Sequence, residues 1–181
     1  MIPRRVCPDE AGISLVELIV YIVMSGLFVG LLALLFANGL AAQKQTTARD
    51  SATGKANVVN ASLQSSMRNA TAVAVDSVGL RIDAVVITAA GVFECRAWAL
   101  DAGGALRYST GADARDADTS GWSALTEGAS GTLSGGRAFA AAGTRGIDLG
   151  ISVSVGDATV PVTTAVTAQA VAAGGGAPAC W

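Results

Sequence analysis

The chain has 181 residues, 51% of them hydrophobic and only 14% charged, with a net charge of −2. That length holds one modest domain, or one domain with an appendage, and no basic patch is large enough to engage nucleic acid through its phosphates. Histidine is absent, which removes the commonest general base and the commonest metal ligand.

Residues 1–12 form a short polar head with Pro3, Pro8 and paired charges. An apolar run follows, and Leu18 to Ala42 contains no charged residue. At ~1.5 Å per residue, about 20 helical residues cross a bilayer core, so this run is long enough with margin. A secretory signal has an apolar region of only about 7–15 residues, and Ala37-Asn38-Gly39 makes a poor cleavage site. We read a transmembrane segment over about residues 18–42, in preference to a buried soluble helix or a removed signal. Arg4 and Arg5 precede it and favour a cytoplasmic N-terminus. Lys44, Arg49 and Lys55 follow it and weaken that argument. The cysteines add to it: Cys7 lies before the span, Cys95 and Cys180 after it. A lone cysteine on one side and two on the other suit a reducing cytosol and an oxidising exterior.

The helical pattern continues past the span. Ala48, Ala52, Ala56, Val59, Leu63 and Met67 recur at steps of three and four, which is one face of an α-helix. Gly54 costs this helix about 1 kcal/mol relative to Ala. The spacing predicts one helix from about Ser14 to Arg68, roughly 80 Å long at ~1.5 Å per residue. Its first half is apolar all round, while its second half has a narrow apolar face that needs a partner.

From Thr71 the period changes to two. Leu80, Ile82 and Val85 to Thr88 read as strands, as does Val92 to Leu100. The Asp101-Ala102-Gly103-Gly104 turn leads to a return strand through Leu106 and Tyr108. Ser109 to Arg145 is rich in Gly, Ser, Ala and Asp, and predicts long loops with short strands. Ile147, Leu149, Ile151, Val153 and Val155 then alternate with polar or small residues. Gly156-Asp157 supplies a tight turn, and Val160, Val162, Thr164, Val166 and Ala168 alternate again. Pro161 predicts that this last strand has a free edge. Gly174-Gly175-Gly176-Ala177-Pro178 predicts an unstructured lead into Cys180. The fold class is therefore α+β, a long N-terminal helix packed on a small antiparallel sheet. It divides into a head (1–12), a helix (13–68) and a β domain (69–181).

Several constellations bear on chemistry. Gly26-Leu27-Phe28-Val29-Gly30 is a GxxxG pattern that permits close helix approach, although Gly is common in membrane helices. Asp116, Asp118, Ser120, Gly121 and Glu127 match the spacing of a twelve-residue calcium loop. Ser123 occupies its usually aliphatic eighth position, however, and neither flank reads as a helix; the plainer reading is a solvated loop. Without His, a nucleophilic Ser or Cys needs Lys or a carboxylate as its base, and no Lys follows Lys55. We assign no catalytic residue, no metal ligand and no cofactor, and do not expect an enzyme. Glu17 stands apart. A carboxylate at membrane depth costs roughly 2.5–3.5 kcal/mol on insertion scales, so Glu17 either has a partner or sits hydrated at the headgroup boundary.

Its flanks resemble a known signal. Gly12 is followed by Ile13, Ser14, Leu15, Val16 and Glu17 and then by the apolar run; "GISLVELIV" looks like the class III signal of type IV pilins and type II secretion pseudopilins. The long helix leading into a small antiparallel sheet extends the resemblance, more loosely, over the whole chain. The family pattern implies that a prepilin peptidase removes residues 1–12 on the cytoplasmic face, cutting between Gly12 and Ile13. It implies N-methylation of Ile13, and an ion pair between Glu17 and the Ile13 amine of a neighbouring subunit that sets axial register. Its implied partners are the peptidase, other pilin subunits in a filament, an inner-membrane assembly platform and membrane lipid. The implied location is a single-pass membrane protein with an extracytoplasmic β domain, at the cell surface or in a periplasmic filament after assembly. Two features depart from the pattern. The first mature residue is Ile13 where the family most often has Phe, and no proline lies between Pro8 and Pro161. Gly26, Gly30 and Gly39 are candidate sources of flexibility instead.

Family members often pin the C-terminal region with a disulfide, which here implies Cys95–Cys180; the alternative is two buried free thiols. Such a bridge closes a loop of about 85 residues, worth at most ~4–5 kcal/mol on the chain-entropy model. Low aromatic content and glycine-rich loops favour an accessory (minor) subunit over the major one. The rival reading is a permanently anchored extracytoplasmic binding module that does not polymerise.

Overall fold

The computed structural model describes residues 14–171 and 179–181. The polar head, with Cys7, and the Gly174–Pro178 stretch lie outside the described residues. One helix, α1 (Leu15–Arg68), is followed by nine strands. These are β1 (Ala70–Val75), β2 (Arg81–Ile87), β3 (Phe93–Leu100), β4 (Leu106–Gly111) and β5 (Ser123–Thr126), then β6 (Ala129–Gly131), β7 (Phe139–Ala142), β8 (Gly146–Val155) and β9 (Ala158–Thr167). The fold is α+β, as the periodicity predicts. The chain forms two compact units, with the division between Lys44 and Gln45. The second half of α1 therefore belongs with the strands.

In the first unit, the apolar side chains from Leu15 to Leu40 remain 39–75% exposed. Nothing within the unit covers them, and the helix is long and apolar enough to cross a membrane. A helix that is apolar all round has no side suited to water.

In the second unit, α1 buries one face: Ala52, Ala56, Val59, Leu63, Ser66 and Met67. Five of the six residues predicted for that face are buried; Ala48, one turn earlier, is half-buried. Val59, Leu63 and Met67 join one core cluster with Ile82, Val86, Trp98 and Leu106 from the first sheet and with Phe139, Ile147, Leu149, Ile151 and Val153 from the second. Each fully buried side chain of this size contributes roughly 1.5–3 kcal/mol. Burial of this face holds a helix whose Gly, Asn, Ser and Thr content is poor in intrinsic helix formers.

The single small sheet of the expectation is in fact two. β1 to β5 form an antiparallel sheet in sequence order. In the second sheet β8 is central: β6 and β7 pair end to end along one of its sides and β9 along the other. The segment between β6 and β7 leaves the sheet and returns. Glycine makes that departure feasible, because a Cβ on Gly150 would lie 2.6 Å from Leu133 Cδ2. The predicted hairpin is β8–β9. Gly156, at φ +56°, takes the first central position of a two-residue turn, as a type II′ turn requires. Ile147, Leu149, Ile151 and Val153 are fully buried, while their partners on β9 are half-buried. Pro161 lies on an edge strand, opposite Ser152.

Candidate functional site

The sequence places its candidate site at the start of α1. Gly12 and Ile13 lie outside the described residues. Ser14 immediately precedes the helix, and its Oγ accepts a hydrogen bond from the Glu17 amide at 3.3 Å. Ser14-Leu15-Val16-Glu17 thus has the sequence of a capping box, with the serine half of its bonding in place. Glu17 lies in the first turn, where a negative charge favours the helix by about 0.3–1 kcal/mol. Tyr21, one turn later, donates its hydroxyl to Glu17 Oε1 at 3.4 Å. The chemistry follows from that count. An ionised carboxylate has about four acceptor positions, and a single long bond from a neutral phenol leaves its charge largely uncompensated. Glu17 is exposed and free to accept a cationic donor. Neither Ser14 nor Tyr21 is among the candidate site residues that the sequence singles out, although Ser-x-x-Glu and an i, i+4 spacing signal them.

The cysteine pair lies in the second unit. Cys95, in β3, is bonded to Cys180 with a Cα–Cα distance of 5.4 Å, which decides against two free thiols. Both cysteines are buried, with Val85 beside them and Ala72 and Phe93 packed against them. This cluster lies on the face of the first sheet turned away from α1, because strand side chains alternate and Ala84 and Val86 point to the helix side. The bridge therefore fastens the C-terminus over that outer face.

The same outer face explains the acidic loop. Arg81 holds the Asp83 carboxylate through Nε and Nη2 at 2.9 and 2.7 Å. It also donates to the carbonyls of Asp116 and Arg115 at 2.9 and 2.8 Å, and lies 5.1 Å from the centre of the Trp122 ring. Trp122 in turn covers Ala97 and Ala99. The run from Asp116 to Glu127 is therefore no continuous loop: Ser123–Thr126 is strand β5. The Asp118 carboxylate accepts the Ser120 amide at 2.9 Å, which holds its carboxyl below the usual range. Among the described residues, no three His, Cys, Asp or Glu side chains stand close enough together to hold a metal ion.

Two polar residues of α1 point into the second unit. Ser62 accepts the Trp98 indole N–H at 3.1 Å, and buried Ser66 accepts Arg96 Nη1 at 2.9 Å. They fix the rotation of the helix over the first sheet. Comparison with protein-family models, with curated proteins and with solved structures returned no match.

Proposed function

We propose that the chain is a pilin-like subunit, an accessory (minor) one, of a type IV pilus or type II secretion-like filament. In this reading it is made as a prepilin, anchored by the first half of α1, cut after Gly12 and assembled through that helix. The observation that carries the reading is Gly12-Ile13-Ser14-Leu15-Val16-Glu17 opening an uncharged span. Continuation of that span into a helix whose second half packs on antiparallel sheets supports it. Cleavage creates a free amine on Ile13, four residues before Glu17. In an apolar filament core, the underpartnered Glu17 carboxylate and a neighbour's Ile13 amine offset part of each other's desolvation cost. A misplaced subunit leaves both charges unpaired, so the pair sets register as a buried polar residue does in a coiled coil.

The mass of the membrane-extracted protein tests this directly. Loss of residues 1–12 is expected; their retention in a host with an active prepilin peptidase favours the permanently anchored module instead. Gly12→Val should block the cut, because the peptidase subsite admits little beyond a hydrogen there. Normal processing of that variant counts against the reading.

A further inference from the structure

The outer edge of β9 is unusual among the edges of this protein. The other edge strands are short or irregular: β5 and β7 have four residues, β6 has three, and the β1 pairing shifts register between Ala70 and Ala72. β9 has ten residues, an unbroken register with β8 and no charge. Proteins ordinarily shield such an edge with charges, bulges or a covering element. Here Pro161 is the one such device.

The main-chain groups facing outward can be assigned. Gly150 and Ser154 of β8 direct their amides away from β9, to the carbonyls of Ala138 and Gly128. Gly150–Thr163 and Ser154–Thr159 are therefore non-hydrogen-bonded pairs of the β8–β9 ladder. By alternation, Thr159, Pro161, Thr163, Ala165 and Thr167 turn their main-chain groups outward. None of these groups has a partner among the described residues. The chain leaves β9 towards the first sheet, with Ala170 bonded to Ala70 and Cys180 to Cys95.

We propose that this edge pairs antiparallel with the same edge of a second copy, about a twofold axis at Thr163. The sequence from Thr159 to Thr167, TVPVTTAVT, is nearly palindromic. Centred on Thr163, the pairing sets Thr159 against Thr167, Thr163 against itself and Val160 against Val166. Cross-strand Thr–Thr pairs and pairs of β-branched residues are favourable, and no like charges meet. Pro161 faces Ala165 and supplies only its carbonyl, so the ladder has about eight bonds. Grooves of about 260 and 290 Å³ between α1 and β9, one bordered by Asn57 and Asn60 and the other by Gln64, lie where the partner's valines would enter. Thr53 to Asn60 flank Val160 to Thr164, and Gln64 to Arg68 flank Ala165 to Gln169. In this unit α1 and β9 therefore run in the same direction, and the twofold sets the two helix segments antiparallel. The contact joins subunits presented head to head, and is distinct from the head-to-tail packing that extends a filament.

The test uses the purified full chain in detergent micelles, with Cys7→Ser as background. Thr163→Cys and Ala165→Cys are each oxidised mildly and mapped by non-reducing peptide analysis. Across the twofold, two copies of position 163 stand about 5.5 Å apart between Cα atoms, within disulfide range. Two copies of position 165 stand about 14 Å apart, four residues out of register. The expected result is a covalent dimer through position 163, at least about tenfold more abundant than through position 165. Equal yields at both positions point to association through the apolar helix and overturn the proposal. So does a Thr163→Cys thiol that reacts freely with maleimide yet forms no dimer.

Discussion

The two halves of α1 share a backbone and differ in what surrounds them. The first half is apolar on every side and exposed along its length. The second presents one apolar stripe, buried against two sheets, with Asn57, Asn60 and Gln64 beside it. Helicity is common to both, so the hydrophobic pattern reports the intended environment rather than the secondary structure. A uniform pattern fits a solvent that is itself apolar, whereas a stripe fits water on one side and protein on the other.

Substitutions separate the two halves. The largest expected effect is at Glu17. Breaking a buried ion pair by removing one partner costs about 3–5 kcal/mol. On the proposed assembly, in which Glu17 pairs with a neighbour's Ile13 amine, Glu17→Val should therefore yield a processed, membrane-resident protein that is absent from sheared filaments. Unfolding of the β unit should not change. Incorporation at wild-type levels would make Glu17 a hydrated boundary residue.

Leu63→Ala should lower the stability of the second unit by about 2–5 kcal/mol, read from urea unfolding in detergent. Leu35→Ala, the same truncation on the uncovered half, should leave that unfolding curve in place. Equal losses would erase the distinction between the halves.

Ser62→Ala should cost about 1–3 kcal/mol, because it leaves the buried Trp98 indole N–H without an acceptor. Near-ultraviolet circular dichroism of the tryptophans should change with it. Ser25→Ala, in the first half, should do neither.

The smallest effect concerns pH and no part of the helix. Arg107 beside Asp101, with the Ala105 amide, holds the Asp101 carboxyl below its ordinary value of 3.8. A carboxyl lowered in the folded state stabilises above its unfolded value, and that contribution disappears as pH falls through the folded one. Asp101→Asn should flatten the acid end of the stability profile by less than about 1 kcal/mol. An unchanged profile would show that the β3–β4 turn holds without this charge.

The sequence made the long-period features legible. The steps from Ala52 to Met67 marked the buried helix face, and alternation from Ile147 to Val166 marked the hairpin. β1 was harder to read: Ala-Thr-Ala-Val-Ala-Val is small-residue throughout, and only Ala70 is fully buried. The split into two sheets was not legible, because it depends on close approaches such as Leu133 over Gly150, which carry no local signal. At the candidate site, the Ser14 cap was visible in four consecutive residues. The Arg81 clamp was not, because it binds main-chain carbonyls more than thirty positions away, and a carbonyl carries no residue identity.

The Cys95–Cys180 bond has a mechanical consequence. When tension enters through α1 and leaves near the C-terminus, the covalent path runs from β3 directly to Cys180. The residues between the cysteines, which are 85 positions apart, are then shielded from the load. Freed by reduction, they would add about 300 Å of contour at ~3.5 Å per residue. The oxidised chain is short-circuited: β1, β2 and the first residues of β3 bear the pull, the β8–β9 hairpin lies outside the covalent force path, and the domain yields only by losing what precedes Cys95.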